Sequence, residues 1–195
     1  LTPEQFADGC GEVVKHAVIA DPELFAELEK TPLTLELLNQ DVARVALIIA
    51  RNIDIKRAVV VADERETNQR KLLNFGHSAG HAVEACKHFE LGHGNCVSIG
   101  MGIITRAAAL HGICDAELPG RIEELCARHG LKTRCELCAD AVFTEALHDK
   151  KRAGDTIDLV IPHGIGRCSI DRTPLSTFHE LIAEGLGQKG DASAC

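Results

Sequence analysis

Arg70, Asn74, His77 and His81 stand at offsets of 0, 4, 7 and 11 and carry the densest chemistry in the chain. Residues three or four apart share one face of an α-helix. The spacing therefore predicts one continuous helix with a cation, an amide and two imidazoles in a stripe. Leu72, Leu73, Phe75, Ala79, Ala82 and Val83 lie among or just after them and can pack elsewhere. His93 follows between Gly92 and Gly94, where small neighbours are expected to leave the backbone little restrained. Such a set describes the wall of a metal and anion site.

Two imidazoles and a carboxylate are a common ligand set for a catalytic zinc, with a fourth position open. His77 and His81 are four apart and could chelate one ion. Ser78 follows His77, however, so the glutamate base of an HExxH protease is missing. The other arrangement uses one stripe histidine, His93 and a carboxylate from elsewhere, and spacing leaves both open. Glu12 is the candidate carboxylate. With Lys15 it shares a helical face, where an ordinary surface pair is worth a few tenths of a kcal/mol, ~0.2–0.5. Gly9 and Gly11 each weaken a helix by about 0.5–1 kcal/mol relative to Ala. Glycines there make sense if the backbone packs closely or approaches a ligand. Lys56, Arg70, Lys150, Lys151 and Arg152 would by themselves be solvated helix ends. Beside a metal they fit a substrate bearing phosphate or carboxylate.

The elements that must position these groups are mostly helical. Glu4 to Ala20 reads as a helix with Thr2-Pro3 at its start and Asp21-Pro22 as its stop. Leu35, Leu38, Val42, Val45 and Ile49 make an amphipathic helix from Thr34 onward. Whether Ala58 to Ala62 continues it or is extended stays open. Val97 to Leu110 is apolar nearly all round, so it is buried, and Gly112 suits its C-terminal cap. Glu117 to His129, closed by Gly130, residues 139–149 and Thr177 to Leu186 are further helices. Thr156 to Ile161 and Arg167 to Ile170 form a small β-hairpin. Gly187 to Cys195 is expected to be a disordered tail.

A length of 195 residues allows one good-sized core, built from aliphatics because there are six Phe and no Tyr or Trp. The net charge of −8 argues against nucleic acid as the main partner. No apolar run approaches the roughly 18 residues of a membrane span, and no signal segment opens the chain. It therefore reads as cytoplasmic. Nine cysteines in such a chain are expected to be reduced thiols, and Cys135 and Cys138 have no second pair to complete a zinc knuckle. Because the chain starts at Leu1 rather than Met, it is expected to be a fragment.

From about Phe6 to Leu186 the chain resembles the C-terminal domain of the 3-dehydroquinate synthase family. The resemblance rests on FADGCGEVVKHAVIAD, IKRAVVVADERE, LLNFGHSAGHAVEA, HGNCVSIGMG, HDKKRAG and LVIPHGIG, in that order. It implies a mainly α, multihelical array with a small β-hairpin near residues 156–170, the helical domain spanning 1–186. It further implies zinc, or another divalent metal such as cobalt, on Glu12, His77 and His93. His81 is then a phosphate contact with an acid–base role, and Lys15 and Lys56 join it as catalytic residues. Arg70, Asn74, Lys150 and Lys151 would bind substrate, with Lys151 the favoured member of its pair. The implied reaction converts 3-deoxy-arabino-heptulosonate 7-phosphate to 3-dehydroquinate and phosphate with NAD. The NAD-binding domain would lie N-terminal to this sequence, so the isolated chain is expected not to turn over. The family typically forms homodimers. A sister cyclase such as 2-deoxy-scyllo-inosose synthase is the nearest alternative, although Asn74 and His81 fit the dehydroquinate enzyme better. Glycerol-type dehydrogenases generally have aspartate where this chain has Glu12. A non-catalytic helical domain is the alternative of a different class.

Overall fold

Thr2 begins the first helix, α1 (Pro3–Ala20), with a reciprocal cap. Its hydroxyl accepts from the Gln5 N–H at 3.2 Å, and the Gln5 side chain accepts from the Thr2 N–H at 3.0 Å. The computed structural model describes residues 1–64, 69–149 and 154–188. Asp21 ends α1 and also caps α2 (Pro22–Lys30), accepting from the Leu24 N–H at 2.9 Å. Pro22, expected only to stop α1, is the first residue of a further helix, where a missing N–H costs nothing.

The single helix expected from Thr34 is divided. Asp41 separates α3 (Leu37–Gln40) from α4 (Val42–Ala62) and caps the latter through the Arg44 N–H at 3.0 Å. The stretch Ala58 to Ala62 is helical. A 3-10 segment (Gln69–Asn74) then precedes α5 (His77–Cys86), α6 (His93–Leu110), α7 (Leu118–Arg128) and α8 (Ala139–Asp149). β1 (Thr156–Gly164) and β2 (Arg167–Pro174) form the antiparallel hairpin, with Val160 opposite Ile170, and α9 (Leu175–Gly185) follows. The mainly helical array with one hairpin is as expected, although the hairpin runs on to Pro174.

The core is organised around α6, which packs against α1, α5, α7 and α9. Ile99, Met101 and Ile103 of α6 are fully buried, as are Phe75, Val83, Phe178 and Ile182 around it. Small residues let the backbones close up: a Cβ on Gly100 would lie 1.9 Å from the Gly76 carbonyl oxygen.

That contact corrects the expected continuous stripe. Gly76 has φ +77°, outside helical geometry, so the 3-10 segment and α5 are separate elements that meet at a bend. A side chain at Gly76 would strike the Val97 carbonyl at 2.6 Å. Only glycine tolerates both the conformation and the contact.

Among the described residues seven cysteines are free thiols, whereas Cys138 is disulfide-bonded, so the expectation of reduced thiols fails there. Among the described residues no helix is long and apolar enough to cross a membrane. Lys150, Lys151 and Arg152, and the tail from residue 189, lie outside the described residues.

Candidate metal and anion site

Glu12 and Lys15 do not form the surface pair that their spacing alone describes. Lys15 is only 2% exposed, and its Nζ donates to Glu12 Oε2 at 2.6 Å. Glu12 Oε1 points the other way, is buried, and has no hydrogen-bond partner. It stands 3.6 Å from Nε2 of His77, the first residue of α5. His77 Nδ1 lies 3.1 Å from the Phe75 carbonyl oxygen. A carbonyl can only accept, so Nδ1 carries the proton and the Nε2 lone pair faces Glu12. Two acceptors thus face each other in a buried place.

His81, one turn along α5, and His93, at the start of α6, complete a cluster of imidazoles. Ligand atoms of His77, His81 and His93 all lie within 4.8 Å of one another, and the ring centroids are 5.2–5.6 Å apart. His93 Nδ1 lies 3.3 Å from Glu84 Oε2, so the carboxylate accepts from Nδ1 and orients the ring with Nε2 on its opposite side.

His93 is held less by glycine freedom than by close packing. Asp8 of α1 accepts from the Gly94 N–H at 2.6 Å and the Asn95 N–H at 3.3 Å, capping α6 from another helix. A Cβ on Gly94 would lie 1.9 Å from the Asp8 carbonyl oxygen, and one on Gly11 would lie 2.7 Å from that of Gly94. The glycines therefore serve the approach of α1 to α6, on the side where Glu12 stands against His77. Gly9 has open space around it and no such role.

Lys56 is exposed on α4, on the side where its charge acts on both Lys15 and His16. The Arg70 guanidinium donates to the Glu64 carbonyl at 3.0 Å, and the Arg70 N–H to Asp63 at 3.1 Å. Asn74 is exposed at the end of the 3-10 segment, just before the bend into α5. Sequence reasoning missed Asp8, Glu84, His16 and Asn52. His16 Nδ1 meets Asn52 Oδ1 at 2.9 Å beneath the site. An aspartate directly before a helical Gly-x-Gly was the only signal for Asp8, and nothing local marked the others.

Electrostatics match this arrangement. Burial, reinforced by Lys15, pushes His77 down to about 4, so it is neutral at pH 7 and able to ligate. Burial alone would raise Glu12, but Lys15, His77 and His16 bring it below the ordinary carboxylate range. Burial also lowers Lys15, against the opposing pull of Glu12. The donor set fits a divalent metal: an anionic oxygen without a partner faces neutral imidazole nitrogen. Tetrahedral zinc, with ligands at ~2.1 Å, sets neighbouring donors ~3.4 Å apart, close to the 3.6 Å between Glu12 and His77.

Residues 9–152 match the family model described as 3-dehydroquinate synthase C-terminal. A 3-dehydroquinate synthase of Acetivibrio thermocellus is 38% identical over 176 residues, covering 88% of this chain and 48% of that protein. One from Streptococcus suis is 35% identical over 184 residues, covering 93% of this chain and 51% of that protein. The chain spans about half the length of these curated relatives. Among solved structures, 2-epi-5-epi-valiolone synthase from Streptomyces hygroscopicus with NAD+ and Zn2+ bound aligns with TM-score 0.81 at 23% identity, over 96% of this chain and 52% of that one. A 2-deoxy-scyllo-inosose synthase complexed with carbaglucose-6-phosphate, NAD+ and Co2+ aligns with TM-score 0.75 at 20% identity, over 94% and 52%. At such identities these likenesses show a shared fold. Together with the family model, which covers most of the sequence, they lead to one conclusion: the chain belongs to the 3-dehydroquinate synthase C-terminal family.

Proposed function

We propose that this chain is the metal- and substrate-binding part of a 3-dehydroquinate synthase. Residues 1–186 would form its helical domain, and polypeptide outside this sequence would supply the NAD-binding domain. The reaction is conversion of 3-deoxy-D-arabino-heptulosonate 7-phosphate to 3-dehydroquinate and phosphate. The names of the relatives at 35–38% identity support the activity. The single observation that carries the site is Glu12 Oε1, buried and without a partner against His77 Nε2.

Glu12, His77 and His93 would hold zinc or cobalt, which supplies Lewis acidity toward substrate hydroxyls while NAD supplies the hydride chemistry. Lys15 holds Glu12 in place, and its lowered pKa suits proton exchange with a hydroxyl nearer neutral pH. His81 is the most exposed of the three imidazoles and would exchange a proton with the substrate phosphate. Lys56, Arg70, Asn74, Lys150 and Lys151 would fix the anionic and hydroxyl ends, orienting the reacting carbon. The full-length protein would be a cytoplasmic homodimer.

The test is phosphate release by the full-length enzyme with NAD and zinc. Turnover is expected with the heptulosonate phosphate and not with glucose 6-phosphate; the reverse preference would overturn the assignment in favour of an inosose-type cyclase. The isolated chain is expected to bind metal without turning over. Normal phosphate release by that chain would refute the division between domains.

A further inference from the structure

A polar cavity of about 500 Å3 shares no lining residue with the metal site. Lys87, Lys132 and Arg134 bring three cations to it, over an apolar floor of Leu91 and Ile99, with the Cys135 thiol in its wall. Glu90 and Glu136 also line it. Among the described residues neither lysine has a carboxylate partner, although both carboxylates are near. Arg134 is engaged by Glu123 at 3.1 Å.

The two lysines sit on segments that the fold holds firmly. Lys132 donates its N–H to Asn95 at 3.0 Å, and its carbonyl accepts from the Ser98 hydroxyl. Lys87 opens a tight turn closed by the Glu90 N–H on the Lys87 carbonyl at 3.0 Å. The central residues of that turn, His88 and Phe89, have φ of 51° and 61°. Side chains rarely adopt such a conformation, and where they do the strain often marks a binding or switching segment. With these backbones held and neither ammonium paired among the described residues, only the two lysine side chains remain to be ordered when an anion binds.

We propose that this cavity binds a small dianion, a phosphate monoester or a dicarboxylate, between Lys87 and Lys132. The bound ligand would abut the turn joining Glu84 to His93, yet its binding does not depend on the metal reading.

Cys135 reports on occupancy directly. The experiment measures iodoacetamide labelling of Cys135 by peptide mass spectrometry. Inorganic phosphate or malonate is added at constant ionic strength, with Cys168 on β2 as the remote control. Phosphate is expected to slow Cys135 labelling about tenfold at ten times its dissociation constant, leaving Cys168 unchanged. The malonate arm shows whether carboxylates serve equally. In the Lys87→Gln, Lys132→Gln variant, checked for native circular dichroism, the protection is expected to vanish. Unchanged Cys135 labelling with both anions would overturn the proposal, as would protection that persists in the double variant.

Discussion

Glu12 Oε1 and His77 Nε2 face each other at 3.6 Å, one a buried oxygen without a hydrogen-bond partner and the other a lone pair. Two acceptors hold such a position only if something positive comes between them. If that is a metal, Glu12→Gln removes its anionic ligand. Zinc affinity is then expected to fall by more than the roughly 10–100-fold typical of losing an outer partner. Chelator competition on the purified chain measures it, and affinity within threefold of the wild type would sink the idea.

His81 shares the imidazole cluster with His77 and His93, so geometry alone does not divide their roles. The proposed division predicts that His77→Ala and His93→Ala lose zinc, whereas His81→Ala keeps a full equivalent and loses turnover in the complete enzyme. Elemental analysis of the three variants decides it, and loss of zinc from His81→Ala would make His81 a ligand. Glu84→Gln should weaken zinc by about 10–100-fold through His93, without touching the metal.

Gly11 of α1 and Gly94 of α6 should respond to alanine in the opposite sense to Gly9 of α1. At Gly94 an added methyl would overlap the Asp8 backbone, and at Gly11 it would press on Gly94. Each is expected to cost about 1–3 kcal/mol or more, because backbone cannot step aside as a side chain can. Gly9 has nothing within 4 Å, so Gly9→Ala should stabilise by about 0.5–1 kcal/mol. Urea denaturation of the three variants tests the signs; a destabilised Gly9→Ala would contradict the open surroundings.

His129 provides a pH dependence away from the metal site. Its Nε2 accepts from the buried Leu33 N–H at 3.1 Å, while Nδ1 donates to the Leu125 carbonyl at 2.7 Å. Burial, with Arg128, lowers its pKa below 6.5 in the folded chain. The unfolded chain therefore takes up the proton first as pH falls. Stability is fully present above pH ~6.5 and is lost as pH drops toward the folded pKa. His16 and His77 shift in the same direction and add to the loss. Denaturation midpoints at pH 7.5 and 5.0 should separate less in His129→Gln than in the wild type. An equal separation would remove His129 from the account.

Local pattern was a good guide wherever neighbours in sequence decide the outcome. The Thr2-Pro3 start of α1, the apolar run of α6 and the hairpin all formed, because caps and periodicity act within a few residues. The same logic misled at Gly76. Offsets of 0, 4, 7 and 11 fit an ideal helix, but the bend is imposed by α6, whose Gly100 lies against the Gly76 carbonyl. Asp41 divided another expected helix by capping the second half. Glu84 and Asn52 could not be recognised as supports, since the groups they orient come from other elements.

By the order of its motifs the sequence marked the family and the helical class, and that resemblance implied Glu12, His77 and His93 as candidate ligands. Tertiary structure decided how the side chains around them are arranged. It buried Lys15, left Glu12 Oε1 without a partner, and brought His81 into one cluster with His77 and His93. The reason is physical: spacing along a helix sets which side chains share a face. Burial, protonation and mutual distance depend on the close approach of α1, α5 and α6, and those helices meet through glycine backbones far apart in the chain.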